Sequence, residues 1–224
     1  MKDLKKKTAK NIQHLAINCP YQNRDAALAD ILTCYGGGQT IIFCSTKKEA
    51  NQIKLCEKIK KDVEVIHGEI GQREREIALE KFKQGKCSVL VATDVASRGL
   101  DIPDIDLVIQ IEPPKDTETY IHRSGRTARA GREGKCITFF TLKQKGFIQM
   151  IEQKAGVIFE KIGVPQPDDI IKATLRDTIR KLEDVNENVL EVFQEAAEDM
   201  IEQEGGDAKR ALCKTLALLS GHHK

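Results

Sequence analysis

Three basic side chains in one short span, His122, Arg126 and Arg129, have the types and spacing to hold a phosphate chain. Guanidinium groups stay charged and offer paired donors to phosphate oxygens, and an imidazole adds a further donor. Asp116, which follows Pro113-Pro114 by two residues, has the character of an N-cap, so the sequence predicts a helix over 117–127. If the last turn holds, positions 122, 126 and 129 stand at i, i+4 and i+7 and share one face, while Tyr120 and Ile121 anchor elsewhere. A solvated basic face is the bland alternative. Gly125 weighs against it, because a glycine inside a helix costs about 1 kcal/mol relative to alanine and signals close approach by a backbone or ligand.

Other polar groups cluster after short apolar runs. Thr93 opens the segment Thr93-Asp94-Val95-Ala96-Ser97-Arg98-Gly99-Leu100-Asp101-Ile102-Pro103, in which a hydroxyl can donate to phosphate and the Asp101 carboxylate can accept from hydroxyls or serve as a turn residue. Thr46 ends the run Thr40-Ile41-Ile42-Phe43-Cys44-Ser45 and can either touch a polyanion or cap a following helix. Gly68, Gln72 and Arg75 lie in His67-Gly68-Glu69-Ile70-Gly71-Gln72-Arg73-Glu74-Arg75.

The elements that must position these groups alternate. Runs at 12–19, 40–45, 63–67, 88–93, 107–111 and 136–142 read as strands. Helical spacing of apolar residues covers 24–35, 47–60, 72–84, 117–127 and 143–155. Such alternation predicts an α/β fold, a parallel sheet covered by helices on both faces, with its working residues in loops beyond the carboxyl ends of the strands. Gly36-Gly37-Gly38 precedes a strand and no Gly-Lys-[Ser/Thr] follows, so it reads as a turn and not as a phosphate-binding loop.

Beyond Gly163-Val164-Pro165-Gln166-Pro167 the strand pattern stops. The expected division is a basic arm over 1–10, an α/β domain over 11–165 and an acidic helical extension over 166–224. From Gln166 onward there are 8 Lys+Arg against 13 Asp+Glu, which leaves 28 against 21 of the totals of 36 and 34 for the part before it. The net +7 body suits a polyanion, and the net −5 extension does not. No apolar run approaches the ~20 residues that cross a bilayer, and the lysine-rich start has no apolar segment behind it, so an intracellular protein is expected. Seven cysteines without a Cys-x-x-Cys fit core thiols in a reducing compartment better than zinc ligands or disulfides.

His122-Arg123-Ser124-Gly125-Arg126-Thr127-Ala128-Arg129-Ala130-Gly131 resembles the last motif of the DEAD-box RNA helicases, His-Arg-x-Gly-Arg-x-x-Arg, and the segments at 93–103, 40–47 and 67–75 resemble the family's other C-terminal motifs, in family order. The resemblance implies a RecA-like domain in which Arg126 and Arg129 are arginine fingers toward the γ-phosphate of ATP. It gives His122 a contact with the partner domain and Arg98 a role in interdomain coupling. It assigns Asp101 and Gly99 to the nucleotide, and Thr93, Arg75, Gln72, Gly68 and Thr46 to the RNA backbone. The family usually has glycine where this chain has Ala128, and aspartate where it has Glu69.

Walker A and the Asp-Glu-Ala-Asp box belong in the family to an N-terminal RecA-like domain, which would also hold Mg2+. The chain by itself is therefore expected neither to hydrolyse ATP nor to unwind RNA, and to need that domain as partner. A DNA helicase of the same superfamily is an alternative enzyme, although glutamine is common there in place of His122. A non-catalytic RNA-binding or assembly module is the alternative outside enzymes.

Residues 152–165 resemble the join found in the nucleolar Gu-type helicases, which implies a nuclear, nucleolar protein and a dimerising helical segment followed by a further RNA-binding domain, so that this chain is a piece of a longer one. Three apolar stripes, through Ile171, Leu175, Ile179 and Leu182, through Val189, Phe193, Ala196 and Met200, and through Ala208, Leu212, Thr215 and Leu219, need a partner. It is either the α/β domain or a second copy of the chain.

Overall fold

Residues 11–94, 105–128 and 132–221 are described by a computed structural model. They divide into two compact units that meet at Val164 and Pro165 in the sequence.

The first unit alternates strand and helix. Its strands are β1 (Ile12–Asn18), β2 (Thr40–Cys44), β3 (Val63–Ile66), β4 (Val89–Thr93), β5 (Leu107–Gln110), β6 (Gly134–Phe140) and β7 (Glu160–Ile162). Between them lie α1 (Arg24–Tyr35), α2 (Lys47–Lys54), α3 (Gln72–Lys83), α4 (Thr117–Ser124) and α5 (Lys145–Ala155). All strand pairs are parallel, in the order β3-β4-β2-β5-β6-β1-β7.

Strand residues alternate between two cores, as the two-residue period of a strand demands. Ile41, Phe43, Leu90, Ala92 and Val108 join Phe82 of α3, Tyr120 of α4 and Ile151 of α5 in one. Ile42, Cys44, Val89, Val91, Leu107 and Ile109 join Leu28 and Ile31 of α1 and Ile53 of α2 in the other. Both faces of the sheet are covered, so its strands read as near-continuous apolar runs. This is the expected α/β architecture.

Two helices end earlier than their spacing predicts. Helix α2 stops at Lys54, with Leu55 as its C-cap, although apolar spacing continues toward residue 60. Helix α4 stops at Ser124 with Gly125 as its C-cap, so the glycine lies at the end of the helix and not inside it. Asp116 does cap α4: its Oδ1 accepts from the Thr119 N–H at 2.7 Å and its Oδ2 from the Thr119 hydroxyl at 2.8 Å. Strand β7, three residues on the sheet edge, had no sequence signal of its own, and it exists by pairing with Leu15–Ile17 of β1.

The second unit is helical: α6 (Pro167–Leu182), a 3-10 stretch (Glu187–Phe193), α7 (Gln194–Gln203) and α8 (Ala208–Leu219). The 3-10 stretch interrupts the expected heptad of Val189, Phe193, Ala196 and Met200, since 3-10 geometry advances three residues per turn. Val189, Val192, Phe193, Met200, Leu212 and Leu219 are all exposed, with Val192 at 78% and Phe193 at 62%.

Candidate functional site

The carboxyl ends of adjacent strands gather most of the expected contacts. Strands β3, β4 and β2 are neighbours, and their registers align Ile66 with Ala92 and Thr93 with Cys44. Because parallel strands lie about 4.8 Å apart, His67, Asp94 and Ser45, each directly after its strand, stand at the same end of the sheet. Gly68, Thr93 and Thr46 thus all stand at this end of the sheet, with Gln72 and Arg75 on the first turn of α3.

Local bonds fix several of these residues. The Thr46 hydroxyl accepts from the Glu49 N–H at 3.1 Å and so caps α2, while its own proton stays available to a phosphate oxygen; capping and binding are compatible. Arg75 donates through Nε to the Ile70 carbonyl at 3.0 Å, and Gln72 donates to Glu76 at 2.8 Å. The Glu74 carboxylate accepts from the Gly71 N–H at 3.0 Å and closes the start of α3. Gly68 is exposed, and a Cβ there would meet no atom within 4 Å. Glu69 pairs with Lys47, which holds its carboxyl below the ordinary range.

Helix α4 follows β5, the next strand along the sheet. His122 is 71% exposed on it, with Nε2 3.6 Å from Glu118 Oε1. The single-face argument for His122, Arg126 and Arg129 does not survive: Arg126 lies past the end of the helix, in a turn where its N–H reaches the Arg123 carbonyl at 3.2 Å. Arg126 is half-buried. Arg98, Gly99, Asp101 and Arg129 lie outside the described residues.

The arginine that spacing passed over, Arg123, is the one most firmly engaged. It is 4% exposed and forms a two-pronged fork with Asp94, Nε to Oδ1 and Nη2 to Oδ2 at 2.7 Å each. Its Nη1 donates to Gln110 Oε1 at 3.2 Å, and its guanidinium lies over the Phe43 ring at 5.3 Å. Gln110, the last residue of β5, is itself fully buried. The signal that could have found this fork is Asp94 itself, a carboxylate directly after the strand-like run Val89-Leu90-Val91-Ala92-Thr93. Its partner, 29 residues away, is not readable from spacing.

A second tether holds α4 from the other side. Tyr120 is fully buried, its hydroxyl 2.6 Å from His14 Nδ1 of β1, with Phe159 edge-on at 5.4 Å. Burial lowers the His14 pKa to about 4, so the ring is neutral at physiological pH. Immediately after Arg126, Thr127 bridges to Ile105, and its hydroxyl donates to the Ile105 carbonyl. Ala128 adopts φ +60°, the left-handed region that disfavours a side chain.

Among the described residues no three His, Cys, Asp or Glu side chains are grouped to hold a metal, and no helix is long and apolar enough to cross a membrane. Four of the seven free thiols, Cys19, Cys44, Cys87 and Cys136, are buried. Burial pushes Cys44 to about 12.

A helicase conserved C-terminal domain matches residues 23–131, and a DDX21/DDX50 dimerisation domain matches residues 166–219. Mouse nucleolar RNA helicase 2 is 49% identical over 217 residues, covering 96% of this chain and 25% of the relative. Human ATP-dependent RNA helicase DDX50 is 46% identical, at 96% and 29%. The chain thus spans about a quarter of the length of these relatives. Among solved structures, the E. coli DEAD-box protein SrmB, bound to a regulator of ribonuclease activity, is 30% identical with a TM-score of 0.62 over 72% of this chain and 94% of that one. S. cerevisiae Dbp5 bound to RNA and ADP BeF3 is 26% identical with a TM-score of 0.67, over 76% and 47%. Sheet order, motif order and these likenesses agree, and the chain belongs to the DEAD-box RNA helicases, with a C-terminal RecA-like domain followed by a DDX21/DDX50-type dimerisation domain.

Proposed function

We propose that this chain is the C-terminal half of an ATP-dependent RNA helicase motor. It supplies RNA-backbone contacts from Thr46, Gly68, Gln72, Arg75 and Thr93, and arginine fingers from Arg126 and Arg129. The observation that carries the reading is the Arg123–Asp94 fork. It ties α4, which leads into Arg126, to the residue directly after Thr93, so a proposed RNA contact and the approach to a proposed finger are joined at one edge of the sheet. Asp101 and Gly99 would hold the nucleotide, and Arg98 and His122 would meet the partner domain.

Hydrolysis of ATP places negative charge on the transferred phosphoryl group, and catalysis is positioning plus neutralisation of that charge. Arg126 and Arg129 provide it only after the two RecA-like domains close on the nucleotide. Mg2+ would come with the N-terminal domain, and no residue of this chain is assigned to it. Contacts to phosphate orient RNA without reading its bases.

In the full-length helicase, Arg126→Ala should lower RNA-stimulated ATP turnover by ~10³-fold while RNA affinity stays largely intact. Equal loss of both would sink the finger role. This chain alone should release no phosphate above buffer at saturating RNA.

We further infer a homodimer through residues 166–224, with domain limits at 11–165 and 166–224. The support is the dimerisation-domain match together with the exposed Val189, Val192, Phe193, Met200, Leu212 and Leu219. Nucleolar residence is proposed from the names of the relatives alone. Light scattering that shows a monomer at high micromolar concentration would remove the dimer.

A further inference from the structure

Arg126 stands between an exposed Gly125 and a buried Thr127, and the second of these makes contacts that no motif role accounts for. Thr127 is 1% exposed. Its hydroxyl donates to the Ile105 carbonyl, just before β5, and it pairs with Ile105 as a short parallel bridge. On its other side stands Gly134, the first residue of β6. A Cβ built on Gly134 would lie 2.2 Å from Thr127 Oγ1, 2.7 Å from Thr127 Cγ2 and 2.7 Å from the Ala128 nitrogen. Those distances are far inside van der Waals contact, and two of the three atoms belong to Thr127. Gly134 has no positive φ, so it is glycine for space and not for backbone freedom.

Three stretches of chain therefore meet at Thr127: the turn after α4, the approach to β5 and the start of β6. The Arg126 backbone is caught between this seat and the Arg123 carbonyl, to which its own N–H is bonded at 3.2 Å. We propose that Thr127 and Gly134 are positioning residues, a socket that fixes the direction in which Arg126 leaves the fold. The proposal rests on the reading of Arg126 as a finger. A group that acts by geometry loses effect steeply when displaced, and a misplacement of about 1 Å can cost ~100-fold in rate.

The test uses the full-length helicase and three variants. Thr127→Val keeps the shape that fills the seat and loses the hydroxyl bond to Ile105. Thr127→Ser keeps the hydroxyl, and Gly134→Ala pushes on the seat from β6. RNA-saturated kcat and the RNA concentration at half-stimulation are measured with the melting temperature of each variant. For Thr127→Val the expected result is a fall in kcat of about tenfold or more, with half-stimulation within about twofold of wild type. Thr127→Ser should restore kcat to within about twofold, and a folded Gly134→Ala should share the kcat loss.

Thr127→Val with wild-type kcat overturns the socket, as does a kcat loss matched by an equal rise in half-stimulation, the mark of general disorder. Arg126→Ala measured alongside separates the two claims. Unchanged turnover in that variant defeats the finger reading itself, whereas a loss there with none in Thr127→Val defeats only the socket.

Discussion

Removal of the Asp94 carboxylate should harm the fold more than removal of the arginine it faces. Arg123 is a cation at 4% exposure whose Nε, Nη1 and Nη2 are bonded within the protein, two of them to Asp94 at 2.7 Å. Asp94→Ala leaves that charge buried with its bond to Gln110. Breaking a buried pair in this way costs about 3–5 kcal/mol, and because the Asp94 side chain is 37% exposed, water can reach part of the vacated site and the lower end applies, about 3 kcal/mol. Arg123→Met leaves instead a carboxylate that water can solvate and one unsatisfied Gln110 oxygen, for about 1–2 kcal/mol.

The double variant has no orphaned cation, so it should be no worse than Arg123→Met alone. Urea unfolding of the chain, followed by circular dichroism, gives the three values. The 3 kcal/mol corresponds to a fall in melting temperature of roughly 6–12 °C for a unit of this size. The reasoning fails if Asp94→Ala costs less than Arg123→Met, or if the two losses simply add.

Three further outcomes follow from single residues. Ala128→Gly relieves the φ of +60° and should raise stability by roughly 0.5–1 kcal/mol, read as a shifted urea midpoint at constant slope; a loss would contradict the strain. His14 has a folded pKa of about 4, below its unfolded 6.5, so its stabilisation is complete above pH 6.5 and is lost as pH falls toward 4. That amounts to about 3 kcal/mol, and a His14→Gln variant should show a flatter stability profile across that window. Cys213 is exposed, whereas burial raises the thiols of Cys19, Cys44, Cys87 and Cys136, so brief iodoacetamide treatment at pH 8 should label Cys213 well ahead of those four by peptide mass spectrometry. Comparable labelling of Cys44 would refute its burial.

The alternating strands and helices, the cap at Asp116 and the ordered motifs that name the family are legible in the residues alone. Each rests on local physics: a two-residue or 3.6-residue period, a carboxylate placed before a helix, or short runs of fixed residue types. Where local signals continued past the true ends, they misled. Apolar spacing carried α2 toward residue 60 and α4 to residue 127, but the helices stop at Lys54 and Ser124. Past α4 the Arg126 and Thr127 N–H groups bond three residues back, to Arg123 and Ser124, and Thr127 seats against Ile105 instead of continuing the α-helix.

How the site is held depends on packing between distant segments. Arg123 drew no role from spacing, and it became the strut of the edge because the end of β4 brings Asp94 to it from 29 residues away. Gly134 lay outside the strand read at 136–142, and its missing side chain is the space that Thr127 fills. Residue types and short spacings lie in the sequence. Which cation loses its water, and which glycine is required by a neighbour, depends on contacts between segments that are far apart along the chain.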